Sequence, residues 1–409
     1  MPPTTTAVPA ELVERSIQLL LELCSVSSAS NDTEGLYRMT EVLSRELLDL
    51  GLLREVHAEA GVNGSPLPVL TAQGPGDHDH HTLLLGHLDT VLPAVPPHVE
   101  SGRLIGTGAL DMKGGFAALI GALRLLRKRG ESLPEDLLLV AVPDEEIGGP
   151  VSVRAVRHWG EGAHTVLVLE PGAAGDGCET LVIGRRGLTV WRLDARGRAA
   201  HSGVAYWEGR SALAAAATWA GTVQRMSEKG DGPVVNVGRI VGGDSEFVSD
   251  VGEEHRFIGT TERLNIVADR CLVEGEIRYL GLADGDRVVA AMRHLAAEIG
   301  RTWDVDMRFE EVEHIPPVTA SGSGKELANY LASAASHAGW RVELEDNRGG
   351  VSFPNFLPDP AAATVIDGLG PVGGGMHTRD EFLDLESLER RIALIAEALL
   401  FVRDNRGHA

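Results

Sequence analysis

The sequence predicts an α/β fold built on a mostly parallel central sheet, interrupted by an inserted ferredoxin-like α+β module. Three observations lead there. The apolar runs Thr82-Leu-Leu-Leu-Gly86, Asp136-Leu-Leu-Leu-Val-Ala-Val142 and Thr165-Val-Leu-Val-Leu169 are continuous rather than alternating, the pattern of strands covered on both faces. An Ala/Leu-rich helical segment separates the first two runs, which gives a strand-helix-strand rhythm. From about residue 188 the order becomes strand-helix-strand-strand-helix-strand, the ferredoxin-like arrangement.

In chain order, residues 11–24 and 33–50 space leucines and other apolar residues for two amphipathic helices, and Gly51 stops the second. After the first strand, residues 114–130 form the separating helix, which ends in Arg124, Arg127, Lys128 and Arg129, cations suited to the negative end of a helix dipole. The inserted module reads as a strand at 189–195, a long Ala-rich helix at 211–226, strands at 234–241 and 271–280, a helix at 286–299 and a strand at 303–309. Beyond Pro316-Pro317 come a helix at 325–338, a strand at 363–366, a Gly-rich loop and a final helix at 385–402. The domains expected are therefore a discontinuous one, residues 1–187 with 316–409, and an inserted one, residues 188–315.

With 409 residues and 43% hydrophobic content, the chain has material for two cores. Its formal charge of -22 would repel phosphate backbones and anionic headgroups, so neither nucleic acid nor membrane is expected as a partner. Cys24, Cys178 and Cys271 are odd in number and widely spaced, which excludes a disulfide scaffold and CxxC zinc sites. No basic-apolar leader opens the chain and no run approaches 18 apolar residues, so a cytoplasmic protein is expected.

Each of the three apolar runs ends in potential metal ligands: the first in His87-Leu88-Asp89, the second in Asp144-Glu145-Glu146, the third in Glu170. Loops after the carboxyl ends of parallel strands form the ligand crevice of an open sheet, so these groups should converge. Asp111 before the 114–130 helix, and His377 after Gly373-Gly-Gly375, join them. Taken alone, His87 reads as a satisfied polar residue and the Glu145-Glu146 pair as a helix start; their shared position at strand ends is what points to a site. Carboxylates gathered in a crevice repel one another unless divalent cations bind. Imidazole and carboxylate without thiolate suit catalytic zinc, with cobalt or manganese as substitutes. Two His and three carboxylates suffice for two metals, one carboxylate bridging them.

The motifs His87-Leu-Asp89-Thr-Val, Gly106-Thr-Gly-Ala-Leu-Asp111-Met-Lys-Gly-Gly115, Asp144-Glu-Glu146-Ile-Gly-Gly149, Leu169-Glu170-Pro171 and Gly375-Met-His377-Thr together resemble the metallopeptidase family of glutamate carboxypeptidase, acetylornithine deacetylase and succinyl-diaminopimelate desuccinylase. The resemblance implies a zinc-exopeptidase-like catalytic domain with an inserted dimerisation (lid) domain, and hence a homodimer. It implies that His87 and Glu170 hold one zinc, Glu146 and His377 the other, and Asp111 bridges them. It further implies that Asp89 orients His87, that Glu145 is the proton shuttle, and that a cis peptide follows Asp111. His201, in Ala200-His201-Ser202-Gly203, matches a family imidazole that reaches a partner's site and stabilises the oxyanion. Asn265, Arg278 and Arg348 match positions that contact substrate, the arginines being apt for a carboxylate.

One departure stands out: Gly349-Gly350-Val351-Ser352-Phe353 carries Phe where the family usually has Asp, which implies a reshaped, more apolar loop. The tract Asp77-His-Asp-His-His81 reads as a polar loop, and Ser321-Gly-Ser-Gly-Lys325 fails as a phosphate loop because Thr319 and Glu326 replace its required Gly and Ser/Thr. The implied activity is hydrolysis of an amide bond beside a free carboxylate, in a small peptide or N-acyl amino acid. Asn31-Asp-Thr-Glu-Gly35 and the stretch from Glu170 to Asp176 resemble the glutamate carboxypeptidase branch. A deacylase with the same site is the alternative, and a non-catalytic metal-binding module would have lost a ligand or the shuttle.

Overall fold

The structure, a computed structural model, describes residues 7–76, 81–175, 177–254 and 265–405. It divides into two compact units: Met1–Gly184 with Val318–Arg348 and Ser352–Ala409, and Arg185–Pro317 with Gly349–Val351.

The first unit is organised on a six-stranded sheet in the order Leu53–Ala60, Pro66–Gln73, Leu137–Val142, His81–His87, Ala163–Val168 and Thr364–Ile366. The last four strands are parallel. Leu83, Leu84 and Leu85 are wholly buried, as are Val140, Ala141 and Val142, because adjacent side chains point to opposite faces and both faces are covered. The hairpin Leu53–Ala60 and Pro66–Gln73 adds antiparallel strands at one edge. It is absent from the sequence expectation because its outer strand is mostly exposed and its inner one carries Pro66 and Pro68, which punctuate an apolar pattern.

Helices Ala10–Ser25, Lys113–Arg129 and Leu385–Asp404 pack against one another. Gly121 makes this possible, since a Cβ there would lie 2.7 Å from Ser16 Oγ and 2.8 Å from Ile392 Cγ1. Helix Lys113–Arg129 ends as its sequence directs, with Gly130 at φ 74° after three cationic residues. The Ser321 tract caps a helix: its hydroxyl accepts the Gly324 N–H at the start of Gly322–His337.

The second unit has a four-stranded antiparallel sheet in the order Val234–Gly243, Arg270–Tyr279, Gly187–Arg196 and Asp306–Ile315. That spatial order, second, third, first, fourth, is the ferredoxin-like one. Helices Ala212–Val223 and Leu282–Trp303 pack on it around Trp191, Trp219, Ile277 and Met292. The two tryptophans meet edge to face at 5.3 Å. Gly275 sits opposite Trp191 in register and leaves room for the indole, which a Cβ would approach to 2.4 Å. The strand expected at 303–309 starts later. Trp303 is the last residue of the preceding helix, Asp304 at φ 54° turns the chain, and the strand runs Asp306–Ile315. A further helix, Ser245–Glu254, lies outside the ferredoxin pattern. Among the described residues no helix is long and apolar enough to cross a membrane.

Candidate metal centre

Three neighbouring parallel strands deliver three sets of polar groups to one side of the first unit's sheet. His87 is the last residue of His81–His87, and Glu170 follows Ala163–Val168. Glu145 and Glu146 sit in the short turn Glu145–Ile147 after Leu137–Val142. Asp111 precedes helix Lys113–Arg129 across a cis peptide bond to Met112. His377 lies on the loop between Gly373–Gly374 and Phe382–Asp384.

These side chains converge on Asp111. Its Oδ1 lies 3.0 Å from His87 Nε2, and its Oδ2 lies 3.3 Å from His377 Nε2. Glu170 Oε1 is 3.8 Å from His87 Nε2, while Glu146 Oε2 is 3.2 Å from His377 Nε2. One carboxylate thus faces two separate imidazole-carboxylate pairs. Among the described residues, the ligand atoms of His87, Glu145 and Glu170 lie within 4.8 Å of one another, as do those of His87, Asp111 and Glu146. Glu145 therefore stands at the edge of the same cluster. Thr90, Leu92 and Thr107 line a cleft over Asp111, Glu146 and His377.

Asp89 organises the surroundings. Its Oδ1 and Oδ2 accept the Glu145 and Glu146 N–H groups at 3.1 Å each, and Ser30 Oγ donates to Oδ2 at 2.7 Å. His87 Nδ1 is 2.9 Å from the Asp89 carbonyl and 3.4 Å from Oδ1. Both are acceptors, so Nδ1 carries a proton; Nε2 is turned toward Asp111 and Glu170, donating to Asp111 without a cation and offering its lone pair to that side if an ion were bound. Sequence reading gives Asp89 its relation to His87 but misses its grip on the two glutamates.

Glu381 is missed altogether. It is buried, and its carboxylate accepts the N–H groups of Gly108 at 2.8 Å and of Leu110 and Asp111 at 2.9 Å. Its only signal in the sequence is its place four residues after His377. Lys113, also buried, donates to the Val26 carbonyl at 2.8 Å and ties the same turn to the first helix.

The electrostatics are those of crowded carboxylates. Burial pushes Glu146 up to about 7, aided by the charge of Asp111. Burial and Asp111 likewise raise Glu170 well above its ordinary value. The hydrogen bond to Asp111 takes His377 up to about 9. His87 rises too, because its bonds to Asp111 and Asp89 outweigh the opposing effect of burial. Asp111 is depressed, its bonds to the two imidazoles overcoming burial. Without a cation, the cluster retains protons to offset its own negative charge.

The residues expected to meet substrate are held as follows. In the second unit, His201 Nδ1 accepts the Gly203 N–H at 3.1 Å, and Asn265 Nδ2 lies 3.4 Å from His201 Nε2. These two expected residues are therefore neighbours. Arg278 donates to Glu276 at 3.0 and 3.2 Å, and Arg348, in the first unit, donates to Glu345 at 2.9 Å. Phe353, expected to make a substrate loop more apolar, is instead part of the core. It opens the turn Phe353–Phe356, is 1% exposed, and sets its ring 6.1 Å from that of His87. An aromatic ring there gains more from burial than from facing water. Residues 77–80 of the His-rich tract, and Asp176, lie outside the described residues. His81 begins a strand, with Nε2 2.8 Å from the Trp159 carbonyl.

Comparison with known proteins places this geometry in a family. The model of peptidase family M20/M25/M40 matches residues 83–400. Carboxypeptidase G2 of Pseudomonas sp. (strain RS-16) is 25% identical over 394 residues, covering 94% of this chain and 88% of that protein. A succinyl-diaminopimelate desuccinylase of Rhodospirillum centenum is 27% identical over 352 residues, covering 79% and 82%. In fold, the aminopeptidase PepT of Bacillus cereus superposes with a TM-score of 0.73 at 23% identity, over 95% of this chain and 98% of that one. The family match spans the strand ends that carry the cluster as well as the ferredoxin-like unit, so this chain belongs to peptidase family M20/M25/M40 and is a metal-dependent peptidase or amidohydrolase.

Proposed function

We propose that this protein is a dinuclear zinc hydrolase, acting in the cytoplasm, that cleaves an amide bond beside a free carboxylate in the manner of glutamate carboxypeptidase. The observation that carries the reading is Asp111, whose two oxygens face two different imidazole-carboxylate pairs. The donor set fits such a centre: nitrogen and oxygen ligands, no thiolate, and buried carboxylates whose repulsion two divalent cations would relieve. His87 and Glu170 would hold one ion, Glu146 and His377 the other, with Asp111 shared; cobalt or manganese could substitute. Bound cations would supply Lewis-acid polarisation of the scissile carbonyl and acidification of water.

The chain's own residues do the rest. Glu145 takes a proton from water as the water oxygen bonds to the carbonyl carbon, then gives it to the leaving nitrogen as the carbon-nitrogen bond breaks. Asp89 fixes the turn that carries Glu145 and Glu146 by accepting both backbone N–H groups. His201, supplied by the second subunit of a homodimer and flanked by Asn265, donates to the developing oxyanion. Arg278 and Arg348 exchange their present carboxylate partners for that of the substrate.

A second reading, an N-acyl-amino-acid deacylase with the same site, is favoured by the desuccinylase relative at 27% identity. The test is hydrolysis of peptides ending in Glu or Asp, dipeptides and N-acyl amino acids by zinc- or cobalt-loaded protein. The expected result is turnover of the Glu-terminated peptides, lost on chelation and reduced about 10,000-fold in Glu145→Gln. Preference for N-succinyl or N-acetyl amino acids would transfer the assignment to the deacylase, and a loaded protein that cleaves none would refute both.

A further inference from the structure

The two sides of the cluster are held by different means. On one side, His87 ends a central strand, its side chain is 1% exposed, and it is fixed by Asp89 and by the ring of Phe353. On the other, the side chain of His377 is 50% exposed and rides on a loop. Its backbone adopts φ 63°, the left-handed region that side chains avoid. Packing alone does not hold a half-exposed imidazole in that conformation, so the ends of its loop must.

One end is a turn in which the Thr378 N–H and hydroxyl both donate to the Gly375 carbonyl, at 3.0 and 2.7 Å. The other end is Glu381. Its Oε2 accepts from Gly108 at 2.8 Å, its Oε1 accepts from both Leu110 and Asp111 at 2.9 Å, and its carbonyl accepts from Gly106 at 3.0 Å. Four hydrogen bonds thus run from one buried residue of the His377 loop to the single turn that presents Asp111. Three are charge-assisted. A carboxylate is the group suited to this, because both oxygens must accept; a glutamine would set its NH2 against at least one N–H donor.

We propose that Glu381 is a positioning residue that selectively holds the His377 and Glu146 side of the centre, by clasping the His377 loop to the Asp111 turn. The inference rests on the two-metal reading above. Loss of the clasp lets His377 drift from Asp111 Oδ2, while His87 and Glu170 keep their own supports.

The test is a cobalt(II) titration of chelator-stripped wild type, Glu381→Gln and Glu381→Asp, followed by visible absorption and bound-metal content. Wild type is expected to take two ions. In Glu381→Gln the first should bind within about threefold of wild type and the second about tenfold or more weaker, with Glu381→Asp between them. Equal weakening at both sites, or no change at either, would overturn the clasp while leaving the two-metal reading intact. Wild type that binds no divalent ion would overturn both. Should Glu381→Gln fail to fold by circular dichroism, Glu381→Asp must show the same split between sites, and its absence there refutes the proposal.

Discussion

In the first unit, the central strand His81–His87 is buried along its whole length, and its neighbour Leu137–Val142 is too. In the second, strand Gly187–Arg196 is closed at its start and then alternates, with Leu193 and Ala195 buried between the exposed Arg192 and Arg196. A strand covered on both faces can present chemistry only at its end, and parallel neighbours put their carboxyl ends side by side. Antiparallel neighbours send theirs to opposite ends. The groups able to hold a metal, among the described residues, accordingly all come from the first unit. The second offers His201 and Asn265 on a loop and an isolated bridge, away from any strand end.

This contrast predicts unequal losses of activity. Beyond the Glu145→Gln loss given above, His201→Ala should lower kcat about 100-fold, the usual worth of one oxyanion donor. Its bound metal and KM should stay near the wild-type values. Metal loss in His201→Ala, measured by plasma emission, would break the division of labour between the two units.

Stability should divide in the same way. Trp191, wholly buried between Trp219 and Phe309, anchors the second core, and Trp191→Ala should cost about 4 kcal/mol. Leu84 lies in register with Leu139 and Leu167 on the flanking strands, and Leu84→Ala should cost about 3 kcal/mol. Scanning calorimetry should show each variant lowering a different transition. A single transition lowered by both would mean that the two cores unfold as one.

How far the sequence foretold this structure depends on how local each signal was. Continuous apolar runs and helical spacing act within a few residues, so the parallel strands, the ferredoxin order and the convergence of polar groups at strand ends were all legible in outline. The edge hairpin was not, because an exposed strand with prolines beside it lacks the apolar pattern that marks burial. Glu381 was hidden for another reason: its partners are backbone N–H groups some 270 positions earlier in the chain, and a backbone donor leaves no trace in residue identity. The fate of Phe353 was equally non-local, since only the folded chain sets its ring beside His87.

The last expected effect concerns pH and again separates the units. In metal-free protein, Glu146 titrates at about 7 against an ordinary 4.5, and His377 at about 9 against 6.5. Glu170 and His87 are raised in the same sense. Between about pH 5 and 9 the folded first unit therefore binds more protons than its unfolded form, so its stability falls as pH rises. Glu146 contributes fully below 4.5 and loses its contribution as pH passes 7; His377 contributes fully below 6.5 and loses its own through 9. Asp111 is shifted downward from 3.8, so its contribution disappears only in acid and leaves this window unaffected. The metal-free protein should thus show its first-unit transition highest near about pH 5 and lowest near about pH 9. Saturating zinc should remove that slope, because cations replace the protons and bind more tightly as they leave. Among its described residues the second unit shows no such cluster, so its transition is the internal control: a slope in that transition equal to the first unit's would trace the pH dependence to overall charge rather than to the site.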